Sequence, residues 1–311
     1  MFKHLFGPVP SRRLGMSLGV DLIPLKTCSL DCVYCEIGKT TDLTVKRREY
    51  VDIKDIIAEL TAYFEQNPDP DYITFAGSGE PTLNVNIKKI INFTKSIKPN
   101  IPIAVLTNGT LFDDKNVRDS ILQADLVLPS LDAATDKTFK KINRPHKEIK
   151  IENYIKGLID FRQEFRSRIH LEVFILPGYN DHEEELLQIR KAIRRICPDE
   201  VHLNTLDRPG ILPNLQRASS EDLERIRAFW GLNNVEIIAS AKQRENITSY
   251  RNDIDSAILE TLARRPCTLD DLMMILGLHA SEINKYLGTL EESEKIETVR
   301  LARGVFYQTK K

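Results

Sequence analysis

The stretch from Ser17 to Cys35, SLGVDLIPLKTCSLDCVYC, carries a short apolar run followed by three cysteines within eight residues. The run predicts a β-strand, and the residues after it predict a loop that presents Cys28, Cys32 and Cys35. Thiolates are the usual ligands of iron–sulfur clusters, and a cubane cluster has four irons. Three local ligands leave one iron open, which is typical of a reactive metal centre. A zinc knuckle and three unrelated core cysteines are the alternatives, although no second Cys or His pair of the kind that zinc sites need lies nearby.

Short apolar runs alternate with amphipathic helical stretches from about residue 17 to residue 239. The predicted strands are Ser17–Ile23, Tyr72–Ala76, Ile103–Thr107, Leu126–Leu131, His170–Leu176 and Glu200–Thr205. The predicted helices between them are Lys54–Gln66, Val85–Ile97, Lys115–Gln123, Ile151–Phe165 and Glu183–Ile196. This alternation predicts right-handed crossovers and a parallel sheet. The predicted fold class is therefore α/β, with a partial (β/α)6 TIM-like barrel over residues 1–239.

Polar and glycine-rich segments follow several predicted strands, at the edge where parallel α/β proteins place their sites. Gly77-Ser78-Gly79-Glu80-Pro81-Thr82 follows the second strand, Thr107-Asn108-Gly109 the third, and Ser130-Leu131-Asp132 the fourth. Glycines let the backbone approach a ligand, and the Glu80 carboxylate can accept a hydrogen bond from an ammonium group. A tight turn, a turn cap at Asn108 and a helix cap at Asp132 are the alternatives.

The cysteine spacing C-x3-C-x-aromatic-C after a first strand resembles the signature of the radical S-adenosylmethionine (SAM) superfamily, and Ser17–Leu206 is similar to that superfamily's core domain. The resemblance implies a 4Fe–4S cluster on Cys28, Cys32 and Cys35, with SAM chelated to the open iron. It implies reductive cleavage of SAM to a 5′-deoxyadenosyl radical that abstracts hydrogen from a substrate. The implied SAM contacts are Tyr34 beside the adenine, Gly77, Gly79, Glu80, Asn108, Ser130, Asp132, and Glu172 on the fifth strand. For Tyr34, plain packing of an amphipathic ring is the alternative.

The stretch Ser11-Arg12-Arg13-Leu14-Gly15, together with the cysteine motif, is similar to a subgroup related to wyosine tRNA base synthesis. Wyosine synthases carry additional cysteines for a second cluster, whereas Cys197 and Cys267 stand alone in this chain. The substrate therefore stays open, with tRNA, peptide and small metabolite as candidates. The resemblance also implies a reducing partner protein such as flavodoxin or ferredoxin.

A second domain is predicted after a boundary near residue 239. Residues 240–252 are polar and lack an apolar period, which is typical of a linker. Residues 253–311 show three helical patterns and a hairpin, which predict a winged helix-turn-helix domain: Ile254–Ala263, Leu269–Leu276, Ala280–Leu290, then Ile296–Leu301 with Val305–Gln308. This part contains ten acidic and eight basic residues, and its predicted recognition helix is acidic. Because the phosphate backbone repels such a helix, we expect a protein- or peptide-docking module or a scaffold rather than a DNA reader.

The composition is that of a globular protein, with 311 residues, a formal net charge of -1, 41% hydrophobic residues and 29% charged residues. No apolar run is long enough to span a membrane and no secretory signal opens the chain, so the predicted location is the cytoplasm, without a membrane partner. In that reducing compartment, three cysteines within eight residues and two that stand alone, Cys197 and Cys267, indicate metal binding rather than a disulfide framework. The alternative function is an iron–sulfur redox sensor or transcriptional regulator with a winged helix. Candidate SAM contacts on successive strands favour an enzyme, because a sensor needs no adenosine pocket.

Overall fold

The structure is a computed structural model that describes residues 2–11, 13–207, 210–212, 214–238, 254–278, 280–301 and 304–310. The predicted linker at 240–252 lies outside the described residues, as do 302–303 between the last two strands. The strands are β1 (Leu5–Ser11), β2 (Gly15–Val20), β3 (Thr27–Cys28), β4 (Asp42–Leu43), β5 (Tyr72–Phe75), β6 (Ile103–Thr107), β7 (Leu126–Pro129), β8 (Arg168–Ile175), β9 (Glu200–Thr205), β10 (Val235–Ile237), β11 (Cys267–Thr268), β12 (Ile296–Leu301) and β13 (Gly304–Thr309). The helices are α1 (Ile53–Gln66), α2 (Ile87–Ile97), α3 (Lys115–Ile121), α4 (Asp136–Ile142), α5 (Ile151–Glu164), α6 (Glu183–Ile196), α7 (Ser220–Trp230), α8 (Ile254–Arg264), α9 (Leu269–Leu276) and α10 (Ala280–Glu292), with a 3-10 helix at Pro81–Leu83.

A parallel-rich sheet organises the first 237 residues, in the order β1-β2-β5-β6-β7-β8-β9-β10 over the described part of the chain. The six predicted strands form its continuous centre, from β2 to β9, and pair in parallel. Two strands that the pattern did not predict extend its edges. One is β10, which adds in parallel, and the other is β1, which pairs antiparallel with β2 across a register shift. The α/β class is confirmed, and this strand order agrees with a partial barrel.

The helices cover one face of this sheet. Leu18 and Val20 on β2 and Ile73 on β5 lie in one buried core with Ile56 and Leu60 of α1. Alternate strand residues point to opposite faces, so this core contains one half of each strand's side chains. The helix α1 begins at a capped residue, since the Asp52 side chain accepts a hydrogen bond from the backbone N–H of Lys54.

The other, inner face of the sheet is apolar on β6 and β7, and most of its polar side chains lie on β8 and β9, besides Ser17 on β2 and Thr74 on β5, whose hydroxyls share a hydrogen bond. On β6 and β7 it carries Ala104, Leu126 and Leu128, which pack with Leu14. On β8 and β9 the residues that alternate with the core positions are His170, Glu172, Phe174, Glu200, His202 and Asn204. The polar half of the inner face therefore lies on β8 and β9, next to the candidate site.

The described residues after 253 form α8, α9, α10 and a small antiparallel sheet in the order β11-β13-β12. Their buried side chains, including Ile258, Leu272 and Ile283, form a cluster separate from the main core. Helices α8 and α9 contact β1, and Val9 of β1 packs against this second cluster. Within the described ranges, no helix combines the length and apolarity needed to cross a membrane.

Candidate active site

The cysteine loop lies between the end of β2 and the segment that follows α4. The backbone N–H of Asp31 donates to the carbonyl of Asn143 at 3.0 Å, and that of Val33 donates to the carbonyl of Ile142 at 2.9 Å. The N–H of Cys35 donates to the carbonyl of Cys32 at 3.0 Å, which closes a turn inside the motif. The loop conformation is thus held by backbone hydrogen bonds to a distant part of the chain.

Each of the three cysteine sulfurs faces an N–H donor. Lys26 Nζ lies 3.1 Å from Cys35 Sγ, and the Nδ2 atoms of Asn108 and Asn143 lie 3.5 Å and 3.3 Å from the sulfurs of Cys28 and Cys32. Hydrogen bonds to cysteine sulfurs are among the features that set the reduction potential of iron–sulfur clusters. Three sulfurs with three such donors fit a cluster held by thiolates.

Burial against the apolar core raises the pKa of two of the thiols. The pKa of Cys28 is raised to about 12, and the nearby Glu80 carboxylate adds to the effect. Burial likewise raises the pKa of Cys32, next to Asp132. A coordinated metal would reverse this preference, because its charge deprotonates the thiol outright. These two sulfurs are therefore protonated unless a metal binds them.

The glycine-rich segment after β5 packs directly on the backbone of the cysteine loop. Two hydrogen bonds join them, from Lys26 N to Ser78 O at 2.7 Å and from Glu80 N to Thr27 O at 3.1 Å. A β-carbon built at Gly79 would lie 1.9 Å from the Thr27 carbonyl oxygen. The absence of a side chain at Gly79 therefore permits this contact.

Gly77 is also constrained to be glycine, for a reason different from that at Gly79. Its φ is +144°, a region that side chains rarely adopt, and a β-carbon there would lie 2.4 Å from the Asp21 carboxyl carbon. Asp21 accepts hydrogen bonds from the Ser78 backbone N–H at 3.1 Å and from its hydroxyl at 2.6 Å. The turn is thus closed over a buried carboxylate.

Glu80 is almost completely buried, at 1% exposure, and its carboxylate accepts four hydrogen bonds from the chain. Oxygen Oε1 accepts from the N–H and hydroxyl of Thr82 and from the Thr107 hydroxyl, while Oε2 accepts from the Asn108 N–H at 2.7 Å. Burial raises the pKa of Glu80, whereas these donors favour the ionised form. The side chain joins the glycine-rich turn to the end of β6 and so positions Asn108.

The backbone carbonyls of Asn108 and Ser130 both contact the hydroxyl of Tyr154, a residue that the sequence did not predict for the site. Asn108 Nδ2 donates to the Ser29 hydroxyl at 2.8 Å, besides facing the Cys28 sulfur. The buried Tyr154 hydroxyl donates to the Asn108 carbonyl at 2.8 Å and also contacts the Ser130 carbonyl. Tyr154 lies on α5 at helical spacing from the buried Ile151 and Leu158, so its pattern indicated only helix packing.

Asp132 is buried and pairs with the partly exposed Tyr34. The Tyr34 hydroxyl donates to Asp132 Oδ2, which also accepts from Asn143 Nδ2 at 2.7 Å, and Oδ1 accepts from the Phe174 N–H at 2.9 Å. Burial raises the pKa of Asp132 to about 6, although the three donors favour its charged form. The Tyr34 ring stacks on Phe174 with centroids 3.9 Å apart. Tyr34 therefore joins the cysteine loop to β8.

Glu172 lies on the inner face beside the same group. It pairs with Arg13 Nη1 at 2.7 Å and accepts from Asn204 Nδ2 at 2.8 Å. Both charged side chains are mostly buried. Ser130 is its bridge partner on the neighbouring strand. Arg13 is therefore a further candidate for the site. In the sequence, only its position next to another arginine could have indicated a binding role.

A cavity of about 300 Å³ opens between the inner face of the sheet and helices α8 and α9. Its lining includes Arg13, Gly77 and Asp207 from the barrel side and Arg264 from α8. Arg264 Nη1 lies 2.8 Å from Asp21 Oδ2, and its guanidinium stands 4.1 Å from the centre of the Phe6 ring. The structure thus brings the predicted cysteines, Glu80, Asn108, Asp132 and Glu172 into one region, and Arg13, the partner of Glu172, lines the cavity next to it.

A family model described as the radical SAM superfamily matches residues 22–189, more than half of the chain. A UPF0026 protein of Methanocaldococcus jannaschii is 34% identical over 287 residues, covering 90% of this chain and 89% of that protein. The GTPase Obg of Brachyspira hyodysenteriae is 38% identical over 295 residues, covering 94% of this chain, and the chain spans 43% of that protein. A crystal structure of a radical SAM methyltransferase from Sphaerobacter thermophilus shares the fold, with a TM-score of 0.51 and 19% identity over 71% of this chain and 66% of that one.

Proposed function

Because this chain belongs to the radical SAM superfamily, we propose that it cleaves SAM reductively at a 4Fe–4S cluster and abstracts hydrogen from a substrate in the cavity beneath α8 and α9. It is an enzyme, and its cofactors are the cluster and SAM. The alternative function, an iron–sulfur regulator, gains no support from the relatives. The observation that carries the proposal is the set of three cysteine sulfurs, each with its own N–H donor, under a glycine-rich turn.

Cys28, Cys32 and Cys35 would hold the cluster. When bound, the cluster and SAM supply one-electron chemistry, in which an electron from a reductant breaks a sulfonium C–S bond and the resulting carbon radical takes a hydrogen atom from the substrate. A reducing protein such as flavodoxin or ferredoxin is the proposed electron source. The chain's own residues keep the sulfurs in place and provide N–H donors to them.

The proposed SAM contacts lie along the carboxyl ends of β5 to β8. Gly77 and Gly79 would allow close approach of the backbone, and Asn108, Ser130, Asp132 and Glu172 would provide polar groups. Tyr34 would lie against the adenine, and Glu80 would act by positioning Asn108. Asp132 and Glu172 already have donors from the chain, so SAM would share or displace them.

We propose that the chain is divided as 1–239, 240–252 and 253–311, and that the last part is a winged helix-turn-helix domain. Three helices and an antiparallel sheet after residue 253, with their own buried cluster, support this. Helices α8 and α9 of this domain contact β1, and Arg264 of α8 pairs with Asp21. These contacts support a role of the domain as a cover for the cavity. The cover would limit which substrates reach the inner face, whether tRNA, peptide or another modification target.

Iron content tests the cluster assignment. Anaerobic reconstitution should load about four irons per chain, as one cubane requires. Cys32→Ala should lose most of that iron, and the matched control Cys197→Ala, which changes an exposed cysteine far along the chain, should keep it. Full iron loading of Cys32→Ala would overturn the assignment of the ligands.

Product analysis tests the reaction. Reduction of the loaded enzyme in the presence of SAM should give 5′-deoxyadenosine, which a regulator would not form. Deuterated candidate substrates should then transfer deuterium into that product. Loaded enzyme that forms no 5′-deoxyadenosine with a strong chemical reductant would refute the proposal.

A further inference from the structure

Three side chains with metal-ligand chemistry meet on the inner face of the sheet, near the amino ends of β8 and β9. His170 is the register partner of Glu200, and His202 follows Glu200 by two residues, so all three share one face. One nitrogen of each histidine and one oxygen of Glu200 all lie within 4.8 Å of one another. The cysteine loop follows the carboxyl end of β2, so this group lies at the opposite edge of the parallel sheet.

One carboxylate oxygen contacts both imidazole rings. Glu200 Oε2 lies 2.9 Å from His202 Nε2 and 3.4 Å from His170 Nδ1. Ligand atoms around a tetrahedral ion with bonds of about 2.0–2.1 Å lie roughly 3.3 Å apart. The two distances therefore already lie close to those between ligands of a single bound ion.

Among the described residues, one nitrogen of each buried imidazole ring lacks a hydrogen-bond partner. His170 is 8% exposed and His202 is 2% exposed, and His170 Nε2 and His202 Nδ1 have no hydrogen-bond partner among the described residues. The other two ring nitrogens, His170 Nδ1 and His202 Nε2, share the single Glu200 oxygen, and an ion bound between these three atoms would replace that shared contact.

We propose that His170, Glu200 and His202 bind one divalent transition-metal ion of the zinc type, separate from the iron–sulfur cluster. Two imidazoles and a carboxylate are a ligand set for such ions, whereas Mg²⁺ and Ca²⁺ prefer oxygen ligands alone. The Glu200 side chain is 44% exposed, so the ion has a route from solvent.

The bound ion would join β8 to β9 at their amino ends. The same two strands carry Glu172 and Asn204 two residues further along, where Asn204 donates to Glu172 beside Arg13. Residues at the amino ends of barrel strands generally contribute to stability rather than to chemistry. The ion therefore stabilises the polar half of the inner face and leaves the reaction to the opposite edge.

Zinc binding to the cluster-loaded full-length protein tests the site, because the cluster occupies the three cysteines that would otherwise compete for zinc. Equilibrium dialysis against zinc buffered by a chromophoric chelator, followed by elemental analysis, should give one zinc for every four irons. His202→Asn and Glu200→Gln should each weaken zinc binding at least about 100-fold, since even groups outside the ligand set typically contribute 10- to 100-fold. The matched control is His182→Asn, which changes an exposed histidine before α6 and should leave zinc binding unchanged.

Two results would overturn the proposal. One is wild-type protein that binds no zinc at micromolar free zinc, which would leave the group as a hydrogen-bonded network only. The other is Glu200→Gln and His202→Asn proteins that keep wild-type zinc affinity, which would place the zinc elsewhere. Iron content and far-ultraviolet circular dichroism of each variant show whether it is folded. Glu200→Gln, at a half-exposed position, preserves the shape of the site if His202→Asn does not fold.

Discussion

Replacing Gly79 with alanine tests whether the glycine-rich turn must touch the backbone of the cysteine loop. The new β-carbon would lie 1.9 Å from the Thr27 carbonyl oxygen and 2.9 Å from its carbonyl carbon. A relaxed carbon–oxygen contact needs about 3.3 Å. Because the obstructing atoms are backbone atoms rather than the end of a flexible side chain, the two segments must separate by more than an ångström.

The cost of Gly79→Ala follows from that separation. Overpacking a well-packed site typically costs about 1–3 kcal/mol. The hydrogen bonds from Glu80 N to Thr27 O and from Lys26 N to Ser78 O would also be weakened or lost, at about 1 kcal/mol each. We therefore expect the free energy of unfolding to fall by about 3–5 kcal/mol, a large share of the typical 5–15 kcal/mol. Displacement of Thr27 also moves Cys28, so the variant should load less iron.

Urea denaturation of cluster-free protein, followed by circular dichroism, measures the stability, and iron analysis after reconstitution measures the loading. The control is Gly288→Ala in α10, where a β-carbon meets nothing within 4 Å and should stabilise the helix by about 0.5–1 kcal/mol. A Gly79→Ala protein with wild-type iron and a stability within about 0.5 kcal/mol of wild type would refute the close-contact argument.

Three further substitutions test other contacts. Glu164→Gln breaks a bidentate pair with the buried Arg118 guanidinium and should cost about 1–2 kcal/mol at pH 7. Because that pair lowers the pKa of Glu164, its stabilisation is present above the unfolded-state pKa of about 4.3 and is lost as pH falls through the lower folded-state value. Urea curves of wild type and variant should therefore converge toward pH 3, and a constant difference would contradict the assignment. Arg264→Ala leaves the Asp21 carboxylate without its cation and should cost about 2–4 kcal/mol in the same assay, whereas unchanged stability would show that α8 is not held there. Glu80→Gln cannot accept from all four donors, so calorimetry should show SAM affinity reduced about tenfold at wild-type iron content, and unchanged affinity would remove Glu80 from the site.

The accuracy of the strand predictions followed the strength of the local pattern. The strands at Ile103–Thr107 and Glu200–Thr205 have the predicted bounds because each is a clear β-forming run between helices. The strand at Leu5–Ser11 was missed because Pro8 and Pro10 normally argue against a strand, and it is tolerated here at a sheet edge. The three-residue strand Val235–Ile237 is too short to show a period.

The sequence by itself determined the α/β class. It also predicted the three cysteine ligands of the cluster and the positions after the strands where site residues lie. Each of these depends on residues close together in the chain, whose spacing directly limits their geometry. The family match over residues 22–189 agrees with this local information.

Only the tertiary structure decided which side chains act together. Glu172 pairs with Arg13 across 159 positions of the chain, and the Cys32 sulfur faces Asn143 across 111. The meeting of His170 with Glu200 depends on the register of two parallel strands, and a shift by one residue would place their side chains on opposite faces. Such pairings depend on how the whole sheet is assembled, so no local sequence pattern could have identified them.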